Sequence, residues 1–281
     1  MPIDEIIDVI LNGKATRQAA QISPLKKTYN DTLELIPLDI EKAKNMLDEA
    51  GWVDTDGDNI RDKMVEGEKL QLSFKLSYMS SPITKEIVLM IKESMYKAGV
   101  DAIPTPMDFT LFYKNAQEHD FDMMLGGWGG SASYSNPYQL WHTSSWANKG
   151  SNFCGFGDAE SDSLINAANR AIDPLEHRNA IFALQAKIYE DQPYVFMYST
   201  QNKIAIHKDK IDDDYCHSSL PCPTVRLVRL YFDVVSVSVD ILVIQLRLWR
   251  HQIFAKGDKQ NGNDGREDHP LHDQPVPSGR Q

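Results

Sequence analysis

Between Leu70 and Leu125 the hydrophobic period switches repeatedly from two to about 3.6, and that switching limits the folds open to this chain. Leu70, Leu72, Phe74, Leu76 and Tyr78 recur at every second position, as on a half-buried strand. Pro82 to Ala98 follows at helical spacing, with Ile83, Ile87, Ile91, Met95 and Ala98 inward and Gly99 closing the helix. Val100 to Pro106 reads as a second strand. Asp108 caps a short helix carrying Phe109, Phe112 and Tyr113, and Phe121 to Leu125 is a third strand. Strands and helices in this alternation give an α/β fold, an open sheet flanked by helices. In such sheets ligands bind beyond the strand ends.

The third strand leads into the most distinctive stretch of the chain, Phe121 to Phe156, FDMMLGGWGGSASYSNPYQLWHTSSWANKGSNFCGF. It reads as a strand ending at Gly126-Gly127, then a long polar loop. Loops longer than about 12–15 residues without regular structure are uncommon in compact domains unless functional or disordered. Disordered segments are poor in aromatics, whereas this one holds Trp128, Tyr134, Tyr138, Trp141, Trp146 and Phe153. Rings interleaved with Ser, Asn and Gly suit an apolar-walled pocket with a few polar anchors. The plainer reading is a loop whose rings plug a surface gap. The candidate ligand contacts are Trp128, Gly129, Ser131, Tyr134, Asn136 and Asn152, with Trp128 as wall or stacking ring and Gly129 admitting ligand to the backbone.

Around this core the chain reads as follows. Pro2 to Leu11 is a helix with Ile3, Ile6, Ile7, Ile10 and Leu11 on one face, stopped by Asn12-Gly13. Asp39 caps a helix to Ala50, with Gly51 at its left-handed end and Trp52 packing back on Leu47. In DTDGDNIRDK, Asp54, Asp56, Asp58 and Asp62 stand at calcium-loop positions 1, 3, 5 and 9, but Asn59 replaces the loop glycine and position 12 lacks Glu. A solvated acidic turn is the alternative. Asp158 or Ser161 opens one later helix and Asp173-Pro174 another; Tyr194 to Tyr198 and Ile204 to His207 read as strands.

Composition changes near Tyr215. Residues 1–214 carry 33 acidic against 21 basic side chains, and the remainder 7 against 8. Val225 to Phe254 is β-prone and apolar enough to aggregate unless covered, and Lys256 to Gln281 has the polar composition of a disordered tail. Cys216, Cys222 and His217 lack the second ligand pair of a zinc site.

The net charge of −11 speaks against a general nucleic-acid or anionic-membrane surface. Three cysteines form no disulfide framework. The first ten residues have acids where a signal peptide needs bases, so a leader is not expected in this chain, and no run reaches the roughly 18–20 apolar residues of a membrane span. No G-x-S-x-G, P-loop, H-E-x-x-H or G-x-G-x-x-G motif occurs. An enzyme is therefore not expected. His142, near several serines, leaves a hydrolase as a remote alternative, and Cys154 between Phe153 and Phe156 reads as a packed residue. No cofactor is expected.

Five stretches, in order, resemble the C-terminal half of the family 5 extracytoplasmic solute-binding proteins of ABC importers. They are IDEIIDVILNGKA, EKAKNMLDEAGWVDTDGDNIRDK, LGGWGGSASYSNPYQLWHT, GSNFCGFGDAESDSLINAA and HRNAIFALQAKIYEDQPYVFMYS, together running from Ile3 to Ser199. The resemblance implies a periplasmic-binding-protein-like lobe with a mixed sheet, one half of a two-lobed clamp that closes by hinge motion. It also implies a peptide or related small solute as ligand, held largely through its backbone. Importer permease subunits as partners, a monomer and a periplasmic or cell-surface location follow from the same likeness. Its boundaries would be 1–193 for the second lobe, 194–214 for a segment returning toward the first lobe, and 215–281 for an atypical tail. In peptide-binding members an aspartate three residues after the loop tryptophan pairs with the ligand's α-ammonium. Ser131 stands there instead, and a hydroxyl cannot neutralise a buried ammonium. Family members also have a preceding lobe and a different ending. The expectation is thus a fragment of a disrupted gene, its tail read in a shifted frame, with a fragment that binds nothing as the alternative.

Overall fold

The computed structural model describes residues 1–130, 136–147, 149–200 and 237–244, all within one compact unit. Helix α1 (Ile3–Glu5) passes into a π turn, Ile6–Ile10, and strand β1 (Ala15–Arg17) follows. Helix α2 (Ile40–Glu49) begins where the Asp39 carboxylate accepts from the Lys42 N–H. It ends in a Schellman turn, with Gly51 at φ +81° and the Trp52 N–H donating to the Leu47 carbonyl at 2.9 Å. Strands β2 (Asp62–Val65) and β3 (Glu68–Gln71) form a separate hairpin. The α/β core follows as β4 (Ser73–Met79), α3 (Pro82–Tyr96), β5 (Asp101–Met107), α4 (Phe109–Glu118) and β6 (Met123–Gly130). Then come α5 (Tyr138–Trp141), a 3-10 turn (Thr143–Ser145), α6 (Ala159–Arg170), α7 (Pro174–Asp191), β7 (Tyr194–Thr200) and β8 (Val237–Ile244).

Six strands form one mixed sheet in the order β1-β7-β8-β6-β4-β5. β4 runs parallel to both β5 and β6, while β8 runs antiparallel to β6 and β7, and β7 antiparallel to β1. Alternation along the strands divides the core between the two faces. Leu76, Tyr78, Met123 and Leu125 join Ile87, Val88 and Ile91 of α3 and Ile3, Ile6 and Ile7 on one face. Met124, Tyr194 and Phe196 join Ala116 of α4, Trp141 of α5, Ile165 of α6, and Leu184 and Ile188 of α7 on the other.

The helix ends follow from local chemistry. Ser81 caps α3 ahead of Pro82, Asp108 caps α4, and Asp158 and Ser161 form a reciprocal capping box on α6. Asp173 caps α7, which ends with Gln192 in the left-handed region before Pro193.

Several sequence expectations are revised. The first helix is wound as a π turn through its second half, the Leu11 N–H reaching back five residues to the Ile6 carbonyl at 3.1 Å. The single strand expected from Leu70 breaks at Leu72, whose backbone joins the hairpin to the main sheet. Its N–H donates to Arg61 at 2.7 Å, and its carbonyl accepts from Asp101 at 3.0 Å. Ile83, expected inward, is 56% exposed in the first turn of α3. The third strand does not stop at Gly126: β6 continues through Trp128 to Gly130, paired along its whole length with β8. Tyr194–Thr200 is a strand of this same sheet, as expected for Tyr194 to Tyr198, and Val237–Ile244 of the atypical tail lies between it and β6. The strand expected at Ile204 to His207 and the Cys216, Cys222 and His217 group lie outside the described residues. Among the described residues no helix is long and apolar enough to cross a membrane.

Leu76 has no solvent exposure at the centre of the first core. Leu76→Ala should cost about 2–5 kcal/mol of unfolding free energy, while Ile172→Ala, at a position 97% exposed, should stay within about 0.5 kcal/mol. Urea unfolding of both variants checks the contrast.

Candidate ligand-binding site

Parallel pairing brings three strand ends to one edge. Met79, the last residue of β4, is in register with Met107, the last of β5, and Tyr78 is in register with Leu125 of β6. Beyond that point β6 projects further, carrying Gly126, Gly127, Trp128 and Gly129 along the edge. Gly126 and Trp128 share the face of Met124. A methyl group at Gly126 would lie 3.4 Å from the Phe112 ring of α4, an ordinary van der Waals contact. Trp128 is half-buried, its ring 5.4 Å from that of Phe153 and inclined by 28°. Gly129 is exposed beside it. Ser131 and Tyr134 lie outside the described residues. Asn136 is exposed and accepts from the Tyr138 N–H at 2.9 Å, opening α5.

The segment that follows is not structureless. Asn152 is fully buried, and its amide donates to the carbonyls of His142 at 3.2 Å and Phe156 at 2.8 Å while accepting from the Phe156 N–H at 3.1 Å. Its side chain is thus engaged on backbone at both ends of the loop. His119, at the left-handed end of α4, was not singled out from the sequence. Its ring nitrogens sit 3.2 Å from the Phe153 carbonyl oxygen and 3.0 Å from that of Trp146, and its ring stacks on Trp146 with centroids 3.6 Å apart. Asp162 of α6 ties the other flank by accepting from the Thr143 N–H at 2.9 Å and from its hydroxyl. No local sequence pattern signals either tie, because each joins segments distant along the chain.

The remaining polar groups have local roles. His142 Nδ1 lies 2.9 Å from the Ser144 hydroxyl and 3.5 Å from an Asp162 oxygen. A nucleophile–base–acid relay needs the hydroxyl and the carboxylate on opposite ring nitrogens; here both face the same one. The Tyr194 phenol is deeply buried near Trp128 and Cys154, and burial pushes its pKa well above the ordinary value. Asp54, Asp56 and Asp58 bring carboxylate oxygens within 4.8 Å of one another, but the chain itself occupies them. Asp54 accepts from the Gly57 and Asn59 N–H groups, Asp58 from Ile60 and from the Gln71 amide, and Asp56 from the Lys69 ammonium at 2.6 Å. Asp62 is buried against the Thr55 hydroxyl, with Lys69 3.1 Å away. A lysine thus supplies the positive charge that a metal ion would bring. The Thr55 hydroxyl, then the Thr55 N–H and Lys69, hold the Asp62 carboxyl below its ordinary pKa.

The family model for the middle region of the bacterial extracellular solute-binding proteins, family 5, matches residues 1–151. The chain belongs to that family. The oligopeptide-binding protein AppA of Bacillus subtilis is 30% identical over 207 residues, a match that takes in 72% of this chain and 37% of that protein. Di/tripeptide-binding protein 3 of Pseudomonas aeruginosa is 24% identical over 213 residues, 73% of this chain and 37% of its own. The solved structure of Bacillus subtilis AppA in complex with a nonapeptide superposes with a TM-score of 0.63 at 28% identity, covering 70% of this chain and 39% of that one. The fold is accordingly periplasmic-binding-protein-like, and the chain spans a little over a third of the length of these two family relatives.

Two measurements check the local roles. Replacing His119 by Ala should destabilise the protein by roughly 1–3 kcal/mol, since it removes the hydrogen bond the ring donates to a loop carbonyl and its stacking on Trp146, and should speed proteolysis between residues 142 and 153. Unchanged cleavage would show that the ring does not hold the loop. A carboxyl with a depressed folded pKa stabilises fully above its unfolded pKa near 3.9 and loses that contribution as pH falls through the folded value. Asp62→Asn should therefore lower stability at neutral pH and flatten the loss of stability on acidification below about pH 4, as read from melting temperature against pH.

Proposed function

We propose that this chain is the ligand-holding lobe of a solute-binding protein that delivers peptides to an ABC importer. The observation that carries this reading is Trp128. In a chain of this family it stands on a strand that overreaches its parallel neighbours at their carboxyl edge, ahead of a loop fastened at both ends. Residues 1–200 form the second lobe of a clamp in this reading, working outside the cytoplasm as a monomer and meeting permease subunits when a partner lobe closes over the solute. The named ligands of its relatives, oligopeptides and di- and tripeptides, support peptides as the solute class.

In the proposed site an extended peptide lies along the edge beyond β4, β5 and β6. Trp128 offers a ring face to it, Gly129 lets its backbone come close, and Asn136 bounds it on the loop side. Ser131 stands at the position where peptide-binding members carry the amine-pairing aspartate. A hydroxyl accepts one hydrogen bond without cancelling the charge, so the peptide's amino terminus stays hydrated rather than buried here. Binding then depends on backbone and side-chain contacts along the peptide.

The test is a titration of the full chain with millimolar pentapeptides, free and N-acetylated, followed by backbone and indole nuclear magnetic resonance shifts. Shifts should concentrate at residues 126–137, acetylation should change the dissociation constant less than about threefold, and Trp128→Ala should weaken binding about tenfold or more, as for a buried aromatic anchor. Ser131→Asp should create a preference for the free amine. Absence of shifts at residues 126–137 with any peptide would overturn the assignment.

A further inference from the structure

The strand ends beside Trp128 carry apolar side chains that the core does not use. Met79 and Met107 are register partners at the ends of β4 and β5. Phe74, Leu76 and Tyr78 face the first core, so alternation turns Met79 to the opposite face of the sheet, where α4 lies. Met107 is on that face too, its sulfur 3.7 Å from the Asn115 amide of α4. The first turn of α4 follows this edge on the same face, with Phe109 65% exposed. Phe109 stacks on Tyr113 with centroids 5.9 Å apart, Tyr113 meets Phe153 edge-on at 6.2 Å, and Phe153 stacks on Trp128 at 5.4 Å. Four rings thus run in series from solvent to the proposed ligand tryptophan, with two methionines alongside them.

The edge is almost free of charge. Tyr78 to Ile83 contains no charged residue, and Met107 to Phe109 contains only Asp108, whose carboxylate caps α4 by accepting from the Thr110 and Leu111 N–H groups at 2.8 and 3.0 Å. Ser81 is likewise engaged, with the Thr84 N–H and hydroxyl. An occupant here gains little from a charged group and much from apolar area, and methionines adapt to varied shapes.

Building on the peptide reading above, we infer that Met79, Met107, Phe109 and Tyr113 form a specificity shelf that takes one aromatic or large aliphatic side chain of an extended peptide. The Phe109–Tyr113 stack supplies the flat wall, and the methionines supply the adjustable floor. The shelf makes this lobe select apolar peptides over charged ones at one position, the neighbouring positions being held through the peptide backbone.

The experiment uses the full chain and a glycine-rich, N-acetylated pentapeptide host whose single variable residue, moved through each position, is Phe, Leu, Gly, Lys or Asp. At one position Phe and Leu should bind about tenfold tighter than Gly, Lys or Asp, the scale of a buried large apolar side chain, and should shift the Met79 and Met107 methyl resonances. Phe109→Ser, a change at an exposed site, should abolish the preference while leaving the affinity of the Gly host unchanged, and Ile172→Ser should alter neither. Binding without an apolar preference, or a preference that survives Phe109→Ser, would overturn the shelf while leaving peptide binding in place; the shelf would then be a surface covered by another part of the protein. If no peptide binds, the shelf and the peptide reading fall together.

Discussion

The parallel pairing of β4 with β5 on one side and β6 on the other is the constraint from which the rest of the structure follows. Parallel neighbours cannot be joined by a tight turn, so each connection crosses over as a helix. The two helices cover opposite faces of the sheet: α3 packs on the core of Leu76 and Leu125, α4 on that of Met124 and Phe196. The same pairing sends all three carboxyl ends to one edge. The starts of α3 and α4 and the glycine-rich end of β6 have nowhere else to be, and the exposed apolar side chains collect there for that reason.

The second requirement is that the long segment after β6 be held firmly enough to keep a shape. That is achieved by one buried and two half-buried polar groups. Asn152 links the two ends of the 142–156 loop, His119 fastens its middle to the end of α4, and Asp162 fastens its start to α6. Each bond satisfies a loop backbone group that would otherwise be costly to bury.

Much of this architecture is legible in the sequence, because strand period, helix period and caps are local signals. Ser81-Pro82, Asp108, Asp158 and Asp173 mark helix starts, and the alternation through Leu76 and Tyr78 marks a strand. The failures share one cause. Ile83 fits a helical stripe, but its exposure in the first turn of α3 is set by what packs there, which the stripe does not encode. Gly126 to Gly130 looks like a loop because glycine weakens a strand, yet pairing with β8, more than a hundred residues later, holds it extended. At the acidic turn the charge partner is equally non-local, Lys69 arriving from the facing strand of the hairpin. At the site, the motif around Trp128 is visible in the sequence, while the structural use of Asn152 and His119 depends on partners that no spacing reveals.

The central claim is that the carboxyl edge of β4, β5 and β6 receives the solute. Hydrogen–deuterium exchange of the full chain, with and without a saturating N-acetylated Phe-containing pentapeptide, tests it most directly. The account predicts slowed exchange at residues 79–84, 107–113 and 126–137, with no change at α2 or at the turn between α6 and α7. Protection confined to α2, the β2–β3 hairpin or the α6–α7 turn would contradict it.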